Sequence, residues 1–186
     1  MTETDDNLVE LAKGGDHAAF RQLVERYQRD VLVTVVGILG NSDAVDDVVQ
    51  DTFIRLHKSL AQFEGRASLK TYLTKIAMNK SLDHLRKEKR RSKREVNLDE
   101  RSHGNINPVE QDNLADKIVW KAVDSLPEKY KAVVVLRLID GYSTEEVAQI
   151  LEIKYGTVLS RLSRATTKMK EYLEPYYTTQ ALRTDG

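Results

Sequence analysis

Leu8, Leu11, Phe20, Leu23, Val24 and Tyr27 recur at helical spacing, and the stretch from Val31 to Leu39 carries a denser apolar face. The pattern predicts two consecutive helices, over 8–27 and 31–39. Gly40-Asn41-Ser42 interrupts it, after which Ser42 or Asp43 can cap a helix striped by Val45, Val48, Val49, Phe53, Leu56 and Leu60. Gly65 marks 61–67 as a loop. A further helix over about 68–89 buries Leu69, Leu73, Ile76, Ala77, Leu82 and Leu85, with Lys70, Lys75, Lys80 and Arg86 on its wetter surface.

From Glu95 to Asn113 the apolar period disappears into Asp, Glu, Asn, Ser and Gly. A second apolar unit begins near Leu114, with Ile118, Val119, Ala122, Val123 and Leu126. Pro127 suits the first turn of a helix bearing Tyr130, Val133, Val134, Leu136, Leu138 and Ile139, and Gly141 ends it. Ser143 and Glu146 have capping-box spacing, opening a short helix with Val147, Ala148, Ile150 and Leu151. Glu152-Ile153-Lys154 then turns into a longer helix facing Val158, Leu162, Ala165, Met169 and Leu173 inward. The expected fold is all-α, with two small helical domains at 1–94 and 114–174 joined by a flexible linker at 95–113. The second domain contains a helix-turn-helix, and residues 175–186 form a flexible tail.

Charge changes this picture only locally. Lys plus Arg and Asp plus Glu are both 29 of 186 residues, so attraction to a polyanion must come from segregated charge. Eight Lys or Arg from Lys80 to Arg94 stand against Asp83 and Glu88 alone, a local excess of six. The absence of Cys and the scatter of 4 His exclude disulfide frameworks, thiol chemistry and zinc clusters. Asp43, Asp46 and Arg55 interrupt the best apolar stretch, so a soluble, cytoplasmic protein without membrane insertion is expected.

The carboxylates Asp43, Asp46, Asp47 and Asp51 invite a metal or acid–base reading. No His cluster or glycine-rich phosphate loop accompanies them, and capping plus a protein-binding face accounts for all four. No catalytic residue, cofactor or metal is therefore expected. On the helix-turn-helix, Tyr155, Thr157, Ser160, Arg161 and Arg164 can face a DNA groove or simply water. Phe63, beside the basic helix, is either a base-contacting aromatic or a loop anchor. A solvated linker is the stronger reading of 95–113, the alternative being that Asp99, Glu100 and Glu110 compete with phosphates for the basic run.

Three segments in order then resemble a bacterial extracytoplasmic-function RNA polymerase sigma factor, of group four of the sigma-70 family. They are DDVVQDTFIRLHKSL at 46–60, FEGRASLKTYLTKIAMNKSLDHLRKEKR at 63–90 and LPEKYKAVVVLRLIDGYSTEEVAQILEIKYGTVLSRLSRAT at 126–166. The resemblance implies partners: bacterial core RNA polymerase, promoter DNA and a cognate anti-sigma factor. It implies polymerase docking or its support at Asp47, Gln50, Asp51 and Phe53. Minus-10 DNA would be met by Phe63, Lys70, Asn79, Lys80, Arg86 and Arg90. The minus-35 element would be met by Lys154, Tyr155, Thr157, Ser160, Arg161 and Arg164. Nucleotide joining and its metal ions would belong to the polymerase. Tyr72, Leu159 and Thr166 depart from the family pattern, which commonly has Trp, Lys and Arg there. A helix-turn-helix repressor and a helical adaptor are the alternatives, separated from a sigma factor by polymerase-dependent promoter opening.

Overall fold

The first helical stretch breaks at Gly14-Gly15, well before Tyr27. In the computed structural model α1 is Asp5–Lys13 and α2 is His17–Leu39. Gly15 takes a left-handed φ of 93°, and Asp16 caps α2 by accepting from the amides of Ala18 and Ala19 at 2.8 and 3.0 Å. The expected boundary between Tyr27 and Val31 is thus replaced by one long helix. Nothing in Gln28-Arg29-Asp30 lacks an amide or demands a positive φ, so the ladder continues through it.

The structure describes residues 3–94 and 114–184, and the chain divides into two units, Met1–Ile106 and Asn107–Gly186. The described residues form helices and no strand. The linker carboxylates Asp99, Glu100 and Glu110 lie outside the described residues.

In the first unit α2 is the central element, packed by α1, α3 (Val45–Ser59) and α4 (Leu69–Arg94). Leu23, Tyr27, Val31, Val35 and Ile38 run down its inner side, meeting Leu8, Leu56, Leu73 and Met78 in the set of buried residues. Each fully buried leucine of this kind contributes about 1.5–3 kcal/mol relative to exposure. The Asp5 carboxylate accepts from both the Arg26 guanidinium and the Tyr27 hydroxyl, tying α1 to α2. Burial first, and then the Asp5 hydrogen bond and charge, push the Tyr27 phenol far above its ordinary value.

Ser42 does not cap α3 directly. Its hydroxyl accepts from the Ala44 amide at 3.3 Å and its carbonyl from Val45 at 3.0 Å, holding a turn ahead of the helix. Asp46 and Asp47 then lie in the first turn, at the positive end of the helix. A single 3-10 turn at Leu60–Gln62 leads into the loop. Ser68 accepts from the Thr71 amide at 3.1 Å to start α4, which runs to Arg94, beyond the expected end at residue 89.

The second unit holds α5 (Leu114–Asp124), α6 (Glu128–Val134), α7 (Thr144–Leu151) and α8 (Tyr155–Thr184). The first three all pack on α8 or on one another around Ala122, Val123, Val133, Leu136, Val147, Ile150, Val158 and Ala165. Pro127 stands just ahead of α6, its carbonyl accepting from Tyr130 at 2.8 Å and Lys131 at 3.0 Å. A π-helical turn at Val135–Ile139 continues α6, closed by the Asp140 amide on the Val135 carbonyl at 2.8 Å. Its wider spacing offsets Leu138, which is 53% exposed and not part of the core as the apolar pattern suggested. Val119 is likewise exposed on α5.

Residues beyond Glu174, expected to form a flexible tail, continue α8 as helix to Thr184 with Pro175 inside it. Tyr172 and Tyr176 stack across the proline with centroids 6.0 Å apart, an i,i+4 contact that spans the missing hydrogen bond.

Candidate nucleic-acid interface

The outer face of α3 exposes Asp47, Gln50 and Asp51, with the 43% exposed Ile54 continuing the same side one turn on. Phe53 does not share that surface. At 8% exposure it faces the core, beneath that surface rather than on it. The reason is geometric: residues two apart on a helix point in nearly opposite directions.

The loop and α4 assemble the second group. Phe63 is half-buried, its ring 5.1 Å from that of Tyr72, while the Tyr72 hydroxyl donates to Ser59 Oγ at 2.9 Å. A tyrosine at this position therefore both supports Phe63 and ties α4 to the end of α3. Asn79, Arg86 and Arg90 fall on one stripe of α4 and are all exposed, with Asp83 between them. Three cations of the group hold carboxylates: Lys70 on Asp30 at 3.2 Å, Lys80 on Asp51 at 3.1 Å, and Arg86 on Asp83 at 2.9 Å. Exposed pairs of this kind contribute at most about 1 kcal/mol each, so phosphate can displace the carboxylate at little cost. The Lys80–Asp51 pair also ties the α3 face to α4, a junction 29 residues apart in sequence.

In the second unit local chemistry sets the turn. Ser143 Oγ accepts from the Glu146 amide at 3.2 Å while the Glu146 carboxylate accepts from the Ser143 amide at 2.8 Å, completing the expected capping box of α7. Glu152, in the left-handed region at φ 54°, stops that helix, and the Ile153 amide reaches back to the Ala148 carbonyl at 3.0 Å. α8 starts on the Lys154 carbonyl, which accepts from Thr157 and Val158 at 2.8 and 3.2 Å. Lys154, Tyr155, Ser160 and Arg164 are exposed, and Thr157 and Arg161 are half-buried. From Lys154 to Lys170 there are five Lys or Arg and no Asp or Glu.

Two residues absent from the sequence-based set lie against this helix, the exposed Lys129 and the buried Tyr130. A hydrogen bond to Arg164, followed by the nearby charges of Lys129 and Arg164, holds the Tyr130 phenol below its ordinary value. Lys129 Nζ lies 5.0 Å from the Tyr130 ring centroid. The Lys-Tyr dipeptide after Pro127 was visible in the sequence, but its partner lies 34 residues later on another helix. Ser160 Oγ donates to the Thr157 carbonyl at 3.1 Å, leaving its lone pairs outward. Among the described residues no group of three or more His, Asp or Glu could hold a metal ion, and no helix is long and apolar enough to cross a membrane.

Comparison with known proteins places these surfaces in context. A family model described as Sigma-70 region 2 matches residues 23–91, and one described as Sigma-70, region 4 matches residues 116–169. The ECF RNA polymerase sigma-E factor of Haemophilus influenzae is 33% identical over 183 residues, covering 92% of this chain and 96% of that protein. The protein of the same name from Escherichia coli K12 is 35% identical, covering 92% of this chain and 95% of that one. A solved structure of the sigma factor RpoE in complex with the anti-sigma factor NepR from Bartonella quintana is similar at a TM-score of 0.74 and 26% identity. It covers 83% of this chain and 96% of that one. The α3 face, the α4 stripe and the outer face of α8 all fall inside the two matched regions.

Proposed function

The chain belongs to the sigma-70 family as an ECF-type RNA polymerase sigma factor, and from that premise we propose how its surfaces divide the work of transcription initiation. Sigma factors are non-catalytic initiation factors, and this one is read as having no reaction of its own. Asp47, Gln50 and Asp51 on α3 dock core polymerase, with Phe53 supporting them from the core. Phe63, Lys70, Asn79, Lys80, Arg86 and Arg90 meet the minus-10 element. Lys154, Tyr155, Thr157, Ser160, Arg161 and Arg164 meet the minus-35 element.

The observation that carries this division is the acid-free basic run of α8, presented on a helix-turn-helix whose geometry the Ser143–Glu146 box sets. A helix fits the major groove, where Arg161 and Arg164 can reach phosphates or guanine edges. Unstacking the minus-10 base pairs costs a few kcal/mol, offset by contacts of the separated strand with the loop and the α4 stripe. The cations already paired with carboxylates exchange them for phosphate as DNA arrives.

The Bartonella quintana relative is bound to an anti-sigma factor, and a cognate inhibitor covering the polymerase-facing surface is proposed for this chain as well. Its working place is the cytoplasm, with the polymerase and the chromosome. Transcription by sigma-free bacterial core polymerase plus this chain on a randomised promoter library tests the whole reading. Transcripts that depend on the chain should enrich two spaced promoter elements. A folded chain that binds core yet enriches neither would move the assignment to a helix-turn-helix repressor or an adaptor.

A further inference from the structure

α8 presents an exposed face whose two edges differ in chemistry. At about 100° per residue, Gly156, Ser160, Ser163 and Thr167 run down the middle of the side opposite buried Val158 and Ala165, and all four are exposed. Arg164 and Lys168 flank this line on one edge. Tyr155 and Leu159 flank it on the other, 47% and 46% exposed. A leucine half in water adds little to its own unit, whose core is closed by Val158 and Ala165 at 0% exposure.

The middle line also points outward in its purpose. A Cβ at Gly156 would meet nothing within 4 Å, and the residue is not among those with positive φ, so neither packing nor backbone geometry calls for glycine there. Glycine weakens the first turn relative to alanine, but it lets an incoming surface approach the backbone closely. With five cations and no carboxylate between Lys154 and Lys170, that surface is a polyanion. In a major groove the apolar feature displayed on base edges is the C5 methyl of thymine.

We propose that Leu159, flanked by Tyr155, is a specificity-determining residue that receives the C5 methyl of a thymine in the upstream promoter element. This rests on the assignment of α8 to that element and names what one edge of it recognises.

The test uses holoenzyme assembled from core polymerase and the full chain, on the upstream element recovered from the promoter library. Each thymine of that element is replaced in turn by uracil, which removes the methyl and leaves the hydrogen-bonding edge unchanged. At one or two positions uracil should lower wild-type affinity about fourfold, the order expected for one buried methyl. Holoenzyme with Leu159→Ala should bind the thymine and uracil templates equally, and Leu159→Lys should likewise lose the difference. Thermal unfolding of both variants should match wild type, since the position is exposed. Equal wild-type affinity for thymine and uracil throughout overturns the proposal, as does a penalty that persists in Leu159→Ala or a recovered element without A·T pairs. If Arg161→Ala still shifts the selected element in those outcomes, α8 remains the upstream reader and Leu159 alone is dismissed. Absence of any chain-dependent transcription removes the premise together with the proposal.

Discussion

Lys80 Nζ lies 3.1 Å from Asp51 Oδ2, joining α4 to the acidic face of α3. Their side chains are 39% and 57% exposed, so the pair contributes less than about 1 kcal/mol to folding. Lys80→Ala should therefore leave urea-unfolding stability within about 1 kcal/mol of wild type while reducing the fraction of promoter opened by holoenzyme. Permanganate reactivity of unstacked thymines reads the opening directly. Unchanged opening would remove Lys80 from the DNA-contacting set.

The two units should fail in different ways. Asp47→Lys reverses an exposed charge on α3 and should weaken core association about tenfold, with stronger loss at low salt. Arg161→Ala should leave core association intact and relax selection at the upstream element by about 1–3 kcal/mol per lost base contact. Fluorescence anisotropy with core and template sequencing separate the two effects. Intact docking in the first variant, or an unchanged upstream element in the second, counts against the respective assignment.

Lys131 and Asp124 form an asymmetric ion pair in the second unit, 2.7 Å apart, with the lysine side chain 9% exposed and the aspartate 36%. Asp124→Ala removes a carboxylate from an ammonium that has little access to water, whereas Lys131→Met leaves a carboxylate that water can reach. The first should cost roughly 2 kcal/mol, discounted from the fully buried case for solvent at the aspartate, and the second should cost less. Thermal unfolding of both variants decides it, and a greater loss from Lys131→Met would invert the desolvation argument.

Alkaline pH should loosen the first unit through Tyr27. Burial, and then Asp5, raise its folded-state pKa above the unfolded value. The stabilisation is therefore fully present below about pH 10 and lost as the unfolded chain ionises first above it. The stability difference between wild type and Tyr27→Phe should be constant near neutrality and shift against wild type above about pH 10. Chemical denaturation across that range measures it; a difference that stays flat to about pH 11 would contradict a phenol held protonated by burial and Asp5.

Much of the site was readable because its determinants are local. The Ser143–Glu146 box spans four residues, and its two hydrogen bonds form as the spacing predicts. The exposed Tyr155, Ser160 and Arg164 follow from a helical period anchored by Val158 and Ala165. The Gly14-Gly15-Asp16 stop and start was equally local, yet apolar spacing alone ran past it and placed the break near residue 30. Periodicity reports which residues share a face and is insensitive to where the backbone turns.

Side-chain type and interval thus established helices, the helix-turn-helix, the charge segregation and the family signatures, since each depends on contacts within a few residues. Which face of α3 remains outward, with Asp51 exposed and Phe53 buried, depends on how α2 and α4 cover it. The junctions of Lys80 with Asp51, Tyr72 with Ser59 and Tyr130 with Arg164 are likewise products of packing. Their partners lie 29, 13 and 34 residues apart on different helices, beyond the reach of any helical period, so only the meeting of those helices could assign them.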